Sequence, residues 1–354
     1  MTLTLRQATD ADRADWTAFV ASRPEADVLQ SWAWGQAGAG EPGEHWSRLV
    51  VVDGGGHIRG AAQVLDRATS FGRTILYVPH GPLWEREGPD AAEVLARLLT
   101  GLKVHARERK GIVLKLDPRG TGEAAADAAI EHIFRSAGQL AEHDLQAPTT
   151  RLIDLGAGDD PVAGWSKDAR AEARRAVREG TTVTVDRVGD PALMGAFHAL
   201  LAETSQRQGF RIRSQEFLAR LAEPLAARDD WFMTLAEHEG TPLAGAIAPR
   251  TGDRAYYLYA ASTRDKELAR KRGPYAAMAE LQRALREAGT VSLDLWGVRE
   301  PDDETVDVAW EGFSVFKRRF NGTPLRHPGT FDIVIDPTWN RIRDWGERLR
   351  GVLR

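Results

Sequence analysis

Two stretches of the chain alternate apolar and polar residues around a short turn that contains glycine, which is the pattern of a β-hairpin. The first spans residues 48–65 (RLVVVDGGGHIRGAAQVL), and the second spans residues 233–249 (MTLAEHEGTPLAGAIAP). The tripeptide GAA at 60–62 in the first corresponds to GAI at 245–247 in the second. The hydrophobic pattern therefore predicts the same hairpin twice along the chain.

The elements that follow the two hairpins also come in the same order. A strand rich in β-branched and aromatic residues follows each hairpin, at 73–78 and 254–259. Apolar residues at helical spacing then predict helices over 89–109 and 274–287, each closed by a glycine and followed by another strand. This order is common, so coincidence is one explanation and a repeated domain is the other. We expect an α/β (α+β) protein of two like domains with mixed sheets.

The composition is that of an ordinary globular protein, and it excludes several kinds of chemistry. Of the 354 residues, 42% are hydrophobic and 28% are charged, and none is cysteine. Disulfides, thiolate nucleophiles and zinc–thiolate sites are therefore excluded. Since the chain shows neither a membrane-span pattern nor a signal-peptide pattern, we expect a cytoplasmic protein. The net charge of -4 argues against a generally basic nucleic-acid binder but leaves local patches open.

A basic segment lies between the two copies of the repeat. Residues 165–180 (WSKDARAEARRAVREG) are rich in alanine and end in glycine, which predicts a helix with Ser166 as its N-cap. Four cations at positions i, i+3, i+7 and i+11 share one face of this helix: Lys167, Arg170, Arg174 and Arg178. This face is either simply solvated or a phosphate-contacting surface for a nucleic acid or nucleotide.

A second basic cluster lies among the phenylalanines of residues 313–322. Its three consecutive cations are Lys317, Arg318 and Arg319. A cation among aromatic rings is partly desolvated, which strengthens its electrostatic interactions. The alternative is a strand with a snorkelling lysine. The strongly acidic stretch at 300–311, directly before this cluster, predicts a separate exposed loop.

A third group of arginines lies near a predicted helix–loop–helix join, at Arg207, Arg211 and Arg213. Arginines there either bind an anion or remain in solvent. Three aspartates at strand ends are either bases or turn and cap residues: Asp66, Asp117 and Asp294. No metal site is expected, because the nine histidines lack metal-binding spacing.

The order of hairpin, strand, helix and strand resembles the core of the GCN5-related N-acetyltransferase (GNAT) fold. That family holds acetyl-CoA with an Arg/Gln-x-x-Gly-x-Gly/Ala loop at a helix N-terminus. The nearest match here is RKRGPY at 270–275, which places tyrosine where a small residue is needed. Pro274 in this loop has no N–H to donate, and Asp90 in the first copy would repel phosphate. Acetyl-CoA binding is therefore disfavoured, and a CoA-dependent N-acyltransferase is kept as an alternative.

Eight short motifs occur in order along nearly the whole chain. They are QSWAWG at 30–35, YVPHGP at 77–82, LKLDP at 114–118, DARAEARRAVREG at 168–180, ETSQRQGF at 203–210, YLYAAS at 257–262, LDLWG at 293–297 and FKRRFNG at 316–322. With these motifs the sequence resembles the FemABX peptidoglycan aminoacyltransferases, which use aminoacyl-tRNA to build the interpeptide bridge. Single motifs are loose, but eight in the right order are specific.

The resemblance implies a tandem of two GNAT-like domains, with the C-terminal segment returning to complete the first. Here that implies a first domain of residues 1–152 with 326–354 and a second domain of residues 153–325. Some family members carry a coiled-coil arm in the second domain. Residues 217–231 leave no room for an arm, so we expect none.

The resemblance also implies a reaction that needs no cofactor, metal or covalent enzyme intermediate. The side-chain amine of the third stem-peptide residue attacks the ester that joins Gly, Ser or Ala to the tRNA. Lys317 takes the role of the catalytic cation that stabilises the oxyanion. The implied substrate-binding residues are Arg213, Phe217, Tyr259, Asp117 and Arg207, with Phe217 in place of the usual tyrosine. The implied tRNA contacts are Lys167, Arg170, Arg174, Arg178, Arg318 and Arg319.

The implied partners are aminoacyl-tRNA and a peptidoglycan precursor. Where some members have a phosphate-contacting lysine after the Trp-Gly motif, this chain reads QAG at 36–38. UDP-linked and lipid-linked precursors therefore both remain, the second with a peripheral contact at the inner face of the cell membrane. We expect a monomer. A tandem that binds tRNA or precursor without catalysis is a further alternative.

Overall fold

The computed structural model describes residues 2–156, 158–208, 212–303, 306 and 308–352. The chain divides into two units, Met1–Gln146 with His327–Arg354 and Ala147–Arg326. Among the described residues, none of the helices combines the length and the apolar character that crossing a bilayer requires.

Strands and helices are numbered in chain order. The first unit opens with β1 (Thr4–Gln7), α1 (Arg13–Ala21), α2 (Trp32–Gly38), β2 (Glu44–Val52), β3 (Ile58–Ala68), β4 (Thr74–Val78), β5 (Leu83–Trp84), α3 (Ala91–Glu108), β6 (Gly111–Leu116), α4 (Ala124–Ala137) and β7 (Gln139–Leu140). The second unit contains β8 (Thr149–Asp154), α5 (Lys167–Arg178), β9 (Thr182–Asp186), α6 (Pro191–Gln208), α7 (Gln215–Ala226), β10 (Met233–His238), β11 (Thr241–Ile247), β12 (Arg250–Thr251), β13 (Arg254–Tyr256), β14 (Tyr259–Ser262), α8 (Lys266–Ala269), α9 (Gly273–Glu287), β15 (Ser292–Asp294), α10 (Glu311–Arg318) and β16 (Thr323–Arg326). The chain then returns to the first unit with β17 (Phe331–Val334) and α11 (Pro337–Val352).

The first unit is built on one mixed sheet between two layers of helices. The strand order is β1-β2-β3-β4-β6-β17-β7, and β5 also pairs with β3. Strand β4 runs parallel to β6, whereas the returning β17 lies antiparallel between β6 and β7. Because side chains alternate along a strand, Leu49 and Val51 of β2 face α3, and Val50 and Val52 face α1 and α2.

The second unit contains two sheets that share one stretch of chain. Strands β14-β11-β10-β9 form an antiparallel sheet, and β12-β13-β15-β8-β16 form a mixed one. Consecutive strands β13 and β14 belong to different sheets, since β13 runs parallel to β15 and β14 runs antiparallel to β11. Helix α9 packs its apolar face into the core of this unit through Met278, Leu281 and Leu285.

The tandem fold predicted from the repeat is confirmed. Hairpins β2–β3 and β10–β11 are each followed by a strand, a helix (α3 or α9) and a parallel strand, and no coiled-coil arm separates α7 from β10. The expected domain boundary at 152/153 would cut through β8, which as a whole pairs with β15 and β16 of the second unit. The second unit therefore begins before Thr149.

The alternative of a strand around Lys317 is wrong, because this segment forms helix α10 and the turn after it. Phe313, Phe316 and Phe320 recur at i, i+3 and i+7, which is the spacing of one helix face. The rings of Phe316 and Phe320 meet edge to face with centroids 4.7 Å apart. This contact needs the helical turn and would be lost in an extended strand.

We expect the returning strand β17 to be essential for the stability of the first unit. Phe331 is completely buried and lies 5.6 Å from the ring of Phe134. Phe331→Ala should lower the free energy of unfolding by about 3–5 kcal/mol, because the lost burial adds to the cost of a cavity. Urea denaturation followed by tryptophan fluorescence measures this change. The matched variant Phe71→Ala, at an exposed ring, should cost under about 0.5 kcal/mol; equal losses in the two variants would contradict the assignment.

Candidate functional site

The site in the second unit lies where the chain changes from one sheet to the other. The N–H of Tyr257 donates to the carbonyl of Asp294, on the side of β15. The next N–H, of Leu258, donates to the carbonyl of Ile247, on the side of β11. One peptide unit thus divides two hydrogen-bonded ladders, and the sheets separate at this point. Such a separation leaves backbone carbonyls and strand-end side chains available for a ligand or a cation.

Helix α10 places one ammonium group at this separation. The Nζ of Lys317 donates to the carbonyl of Gly297 at 2.8 Å. The same Nζ lies 5.1 Å from the ring centre of Phe313 and 5.8 Å from that of Tyr257. The lysine is therefore held by one strong acceptor and two aromatic faces.

The environment makes this ammonium unusually acidic. Burial lowers the pKa of Lys317 to about 7, although the nearby carboxylate of Asp294 favours the charged form. Asp294 is itself completely buried and accepts hydrogen bonds from the hydroxyl of Thr150 and the N–H of Trp296. Near neutral pH the group therefore exchanges between ammonium and amine, which is typical of a functional lysine.

The carbonyl that holds Lys317 is fixed by tight packing around Gly297. A Cβ at this position would lie 2.6 Å from the ring of Trp310 and 2.9 Å from the Cβ of Ala147, so no larger residue fits. The preceding Trp296 adopts a left-handed backbone with φ of 58°. The turn after β15 is thus shaped to present one carbonyl oxygen to the ammonium.

The basic helix α5 begins directly beside Lys317. The N–H of Ser166 donates to the carbonyl of Arg319 at 2.9 Å, and the Ser166 hydroxyl caps α5 by accepting from the N–H of Ala169. The alanines of the inner face are buried, at Ala169, Ala173 and Ala176. The cations lie on the opposite face. Lys167, Arg174 and Arg178 are exposed, and Arg170 is half-buried. Helix α5 therefore carries a row of positive charge about 18 Å long away from Lys317.

A cleft of about 440 Å³ runs beside this row, between α5 and α9. Its floor is apolar and is formed by Val162, Ala173, Val183, Ala276 and Ala279. Arg170, Arg174 and Arg283 line it together with Asp160 and Glu280, the two carboxylates that pair with Arg283. An apolar floor with guanidinium groups at its edge suits a flat, negatively charged ligand.

Comparison with known proteins points to one family. Residues 166–304 match the family model described as the acetyltransferase (GNAT) domain. The lipid II:glycine glycyltransferase of Staphylococcus epidermidis is 26% identical, and the alignment covers 94% of each chain. The Staphylococcus aureus protein of the same name is also 26% identical, over 59% of this chain and 49% of that one.

Solved structures agree with these sequence matches. A crystal structure of FemX superposes with a TM-score of 0.79 at 19% identity, covering 96% of this chain and 99% of that one. A tandem GNAT protein from clavulanic acid biosynthesis gives a TM-score of 0.56 at 14% identity, covering 95% and 99%. The chain is thus similar to lipid II:glycine glycyltransferases in sequence and to FemX in fold. The family resemblance, the tandem GNAT fold and the class of enzyme predicted from the sequence are thereby confirmed.

Two of the predicted tRNA contacts differ sharply in their surroundings. Arg319 is exposed and donates to the hydroxyl of Tyr275 at 2.6 Å. Arg318 is instead turned inward, where it pairs with Glu311 and donates to the carbonyl of Arg299. The prediction that Arg318 contacts tRNA is therefore not supported, because its guanidinium already ties α10 to the segment before it.

Composition predicts a separate exposed loop for the acidic stretch before α10, but its described residues Glu300, Asp303 and Glu311 are packed or paired. Glu300 forms a bidentate pair with Arg151 at 2.6 Å, and Glu311 pairs with both Arg299 and Arg318. Asp303 is buried. Glu300 and Glu311 thus fasten the two ends of this stretch to the rest of the second unit and help to position α10 and Lys317, whereas Glu304 and Asp307 lie outside the described residues.

The arginine group near α7 is only partly described. The guanidinium of Arg213 lies over the ring of Phe217, 4.6 Å from its centre, and Ser214 caps α7. Phe217 is completely buried, so its ring supports Arg213 and is not open to a ligand. The side chain of Arg207, and Arg211 as a whole, lie outside the described residues. Tyr259 is half-buried at the start of β14, directly after the separation of the two sheets.

In the first unit, Asp117 lies directly after β6 and is buried. It accepts a hydrogen bond from the hydroxyl of Tyr77 at 2.8 Å, and the Thr330 hydroxyl lies 3.4 Å away. Burial raises the pKa of Asp117, which is the opposite of a solvated turn aspartate. The buried surroundings of Asp117 thus argue against the interpretation that it is only a turn or cap residue.

A buried polar cluster next to Asp117 was missed by the sequence analysis. The carboxylate of Asp27 contacts the imidazole of His80 and accepts from Arg119 at 2.7 Å. Burial alone would raise the pKa of Asp27, but the charges of His80 and Arg119 outweigh it and lower the pKa. His80 lies within the YVPHGP motif and Arg119 just after LKLDP, so the two motifs were the available signal.

We expect the unusual acidity of Lys317 to be measurable directly. Competitive amine labelling across pH, read by mass spectrometry of the peptide that contains Lys317, should give a midpoint near pH 7. An ordinary lysine gives a midpoint near pH 10.4. Asp294→Asn should move the midpoint lower still, because it removes the charge that favours the ammonium. A midpoint above pH 9 in the unaltered protein would contradict the described burial of the ammonium.

Proposed function

We propose that this Fem-type protein transfers an amino acid from aminoacyl-tRNA to the side-chain amine of the third stem-peptide residue of a peptidoglycan precursor. The observation that carries the proposal is the position of Lys317, whose ammonium lies at the separation of two sheets, next to a basic helix. This arrangement suits a reaction that develops negative charge on a carbonyl oxygen while the rest of the substrate is a polyanion.

In the proposed reaction, the acceptor amine attacks the ester carbonyl of the aminoacyl-tRNA. A C–N bond forms, and the carbonyl oxygen becomes an oxyanion, which the ammonium of Lys317 stabilises. The C–O bond to the tRNA ribose then breaks, and the ribose oxygen takes up the proton that the amine gives up. The aromatic rings of Phe313 and Tyr257 exclude water from the ammonium, which strengthens its attraction for the oxyanion.

The tRNA acceptor end is proposed to lie along α5. Helix α5 begins beside α10. In the proposed pose, tRNA phosphates contact Arg174 and Arg178 toward the end of α5. The terminal nucleotide then lies near Lys167 at its start, and the ester lies near Lys317. The cleft beside α5 offers an apolar floor for a base and guanidinium groups for a phosphate. Arg319, at the junction of α10 and α5, continues the same positive row.

For the acceptor, we favour a lipid-linked precursor and glycine as the first amino acid to test. Both choices rest on the name of the S. epidermidis and S. aureus relatives, lipid II:glycine glycyltransferase. Arg213, Tyr259 and Asp117 remain the proposed contacts of the precursor. Since Phe217 is buried beneath Arg213, its proposed part is to hold that guanidinium in place.

The match to a GNAT acetyltransferase model makes acetyl-CoA the donor to test against aminoacyl-tRNA. The start of α9, where GNAT enzymes bind the pyrophosphate, is poorly suited to it here. Gly273 packs against Leu243, Pro274 has no N–H, and the hydroxyl of Tyr275 is held by Arg319. Acetyl transfer without aminoacyl transfer would overturn the proposed donor.

Lys317→Met should abolish transfer of glycine from glycyl-tRNA to a lipid-linked muropeptide. The fall should be at least about a hundredfold, because the oxyanion loses its preorganised cation. The measurement is the mass increase of the precursor by one glycine, alongside a urea unfolding curve that checks the fold. Near-normal turnover would remove Lys317 from the chemistry.

The pH dependence distinguishes a cation from a base at this position. Deprotonation of the acceptor amine raises kcat/KM about tenfold per pH unit. Above pH 7, loss of the charge on Lys317 should cancel this gain, so the logarithmic slope should fall from about 1 to about 0. Lys317→Arg, which stays charged, should keep a slope near 1 at a lower rate. A slope that stays near 1 above pH 7 in the unaltered enzyme would contradict the proposed role.

Arg174→Ala with Arg178→Ala should weaken tRNA binding and make it less dependent on salt. Each phosphate contact contributes about 0.7–0.9 to the slope of log affinity against log salt, so the slope should drop by about 1.5. Filter binding across a salt series measures it. The control Arg135→Ala removes an exposed arginine of α4 in the first unit and should leave the slope unchanged. Equal slopes in the double variant and the control would exclude this face of α5.

A further inference from the structure

Three segments of the first unit meet at one end of its sheet, where the parallel strands β4 and β6 begin. They are the β3–β4 connection at 69–73, the turn between α3 and β6 at 109–111, and the start of α11. The hydroxyl of Thr74 donates to the carbonyl of Arg109 at 2.6 Å, and the N–H of Ile335 donates to the carbonyl of Ile112 at 3.0 Å. The rings of Phe71 and Trp339 lie 5.7 Å apart. These contacts join the three segments into one surface, which we name the α11 face.

Large apolar side chains on the α11 face point into solvent. Phe71 at the tip of the β3–β4 connection is 83% exposed, and on α11 Trp345 is 67% and Ile342 is 47% exposed. Ile342 and Trp345 are three residues apart on one side of the helix. Large side chains exposed on neighbouring segments of a surface mark an interaction site.

The charge around these residues is positive, unlike that of the whole chain. Four described cations of this face are exposed, Arg67, Arg107, Lys110 and Arg341, although the protein carries a net charge of -4. Glu108 and Asp336 offset part of this positive charge, and Asp336 is paired with Arg73. The α11 face is therefore apolar and aromatic with a basic surround.

We propose that the α11 face docks the protein peripherally onto an anionic lipid bilayer. An amphipathic helix rich in arginine, with tryptophan and aliphatic residues on one side, lies in the plane of the lipid headgroups. The rings of Trp345 and Phe71 enter the interfacial layer, and the arginines contact anionic headgroups. An anionic bilayer complements both the exposed apolar side chains and the positive charge around them.

The docking would also place the first unit suitably for a lipid-linked substrate, a point that rests on the proposed function. Asp117, a proposed contact of the precursor, follows the far end of β6. The six residues of β6 separate it by about 20 Å from the α11 face. An extended five-residue stem peptide spans about 17 Å, so a precursor anchored in the same bilayer reaches this depth together with its sugars.

Vesicle co-sedimentation of the full chain tests the docking without tRNA or precursor. The protein should bind vesicles of phosphatidylcholine mixed with phosphatidylglycerol, should bind pure phosphatidylcholine much less, and should be released by high salt. Phe71→Ser with Trp345→Ser should lower the partition coefficient at least about tenfold. The control Val188→Ser changes an equally exposed apolar residue in the second unit and should have no effect. Urea unfolding curves should coincide for all three proteins.

Three outcomes would overturn the inference. They are absence of binding to the anionic vesicles, undiminished binding by the Phe71→Ser/Trp345→Ser variant, and a concentration-dependent dimer that this variant abolishes without any vesicle binding. The last outcome would assign the face to a second copy of the chain. Because vesicle binding is measured without catalysis, the result can be interpreted even if the proposed transferase activity is not found. If both hold, the variant should lose transfer to a lipid-linked precursor in vesicles and keep transfer to a soluble muropeptide.

Discussion

The change of strand partner at Tyr257 is the constraint on which the site of the second unit depends. The chain pairs parallel with β15 as β13 and then antiparallel with β11 as β14. The two sheets separate between these two strands. This separation presents the carbonyl of Gly297 next to the buried Asp294. Without this carbonyl and the charge of Asp294, the ammonium of Lys317 would be buried with no compensating partner, which is costly. The sheet geometry thus makes a partly neutral lysine possible.

The first unit keeps the order of elements but not the separation of sheets. Its strand β4 pairs with both β3 and β6, and β5 also pairs with β3, so one continuous sheet results. Residues 79–82 connect β4 to β5, and His80 among them belongs to a buried network with Asp27 and Arg119. An internally paired network of this kind fixes the shape of a surface, whereas a lone ammonium is left able to interact with a substrate. The two copies of the repeat therefore share the order of their elements but differ in strand pairing and in side chains.

Periodicity was enough to predict the repeated hairpins and helices, but not the surroundings of single side chains. The hairpins and helices α3 and α9 follow from local spacing, and the N-cap at Ser166 follows from residue type. The inward turn of Arg318 depends on Glu311 and Arg299, which meet it only after the acidic segment has packed. The cluster of Asp27, His80 and Arg119 draws on three distant positions, and no local pattern relates them. Residue type alone likewise could not show that the ring of Phe217 is buried.

The net charge of the chain has to be interpreted from which cations are paired with carboxylates and which are not. Arginines such as Arg318 and Arg283 are neutralised by carboxylates within the described structure, and they serve the fold. Lys167, Arg174 and Arg178 form no ion pair with any described residue, and they lie in a row on one helix. Repulsion within such a row costs free energy in the absence of an anion and is relieved when a polyanion binds. A row of unneutralised cations beside a buried lysine, in a chain of net negative charge, therefore supports the proposed binding of a phosphate-bearing substrate whose reacting end reaches that lysine.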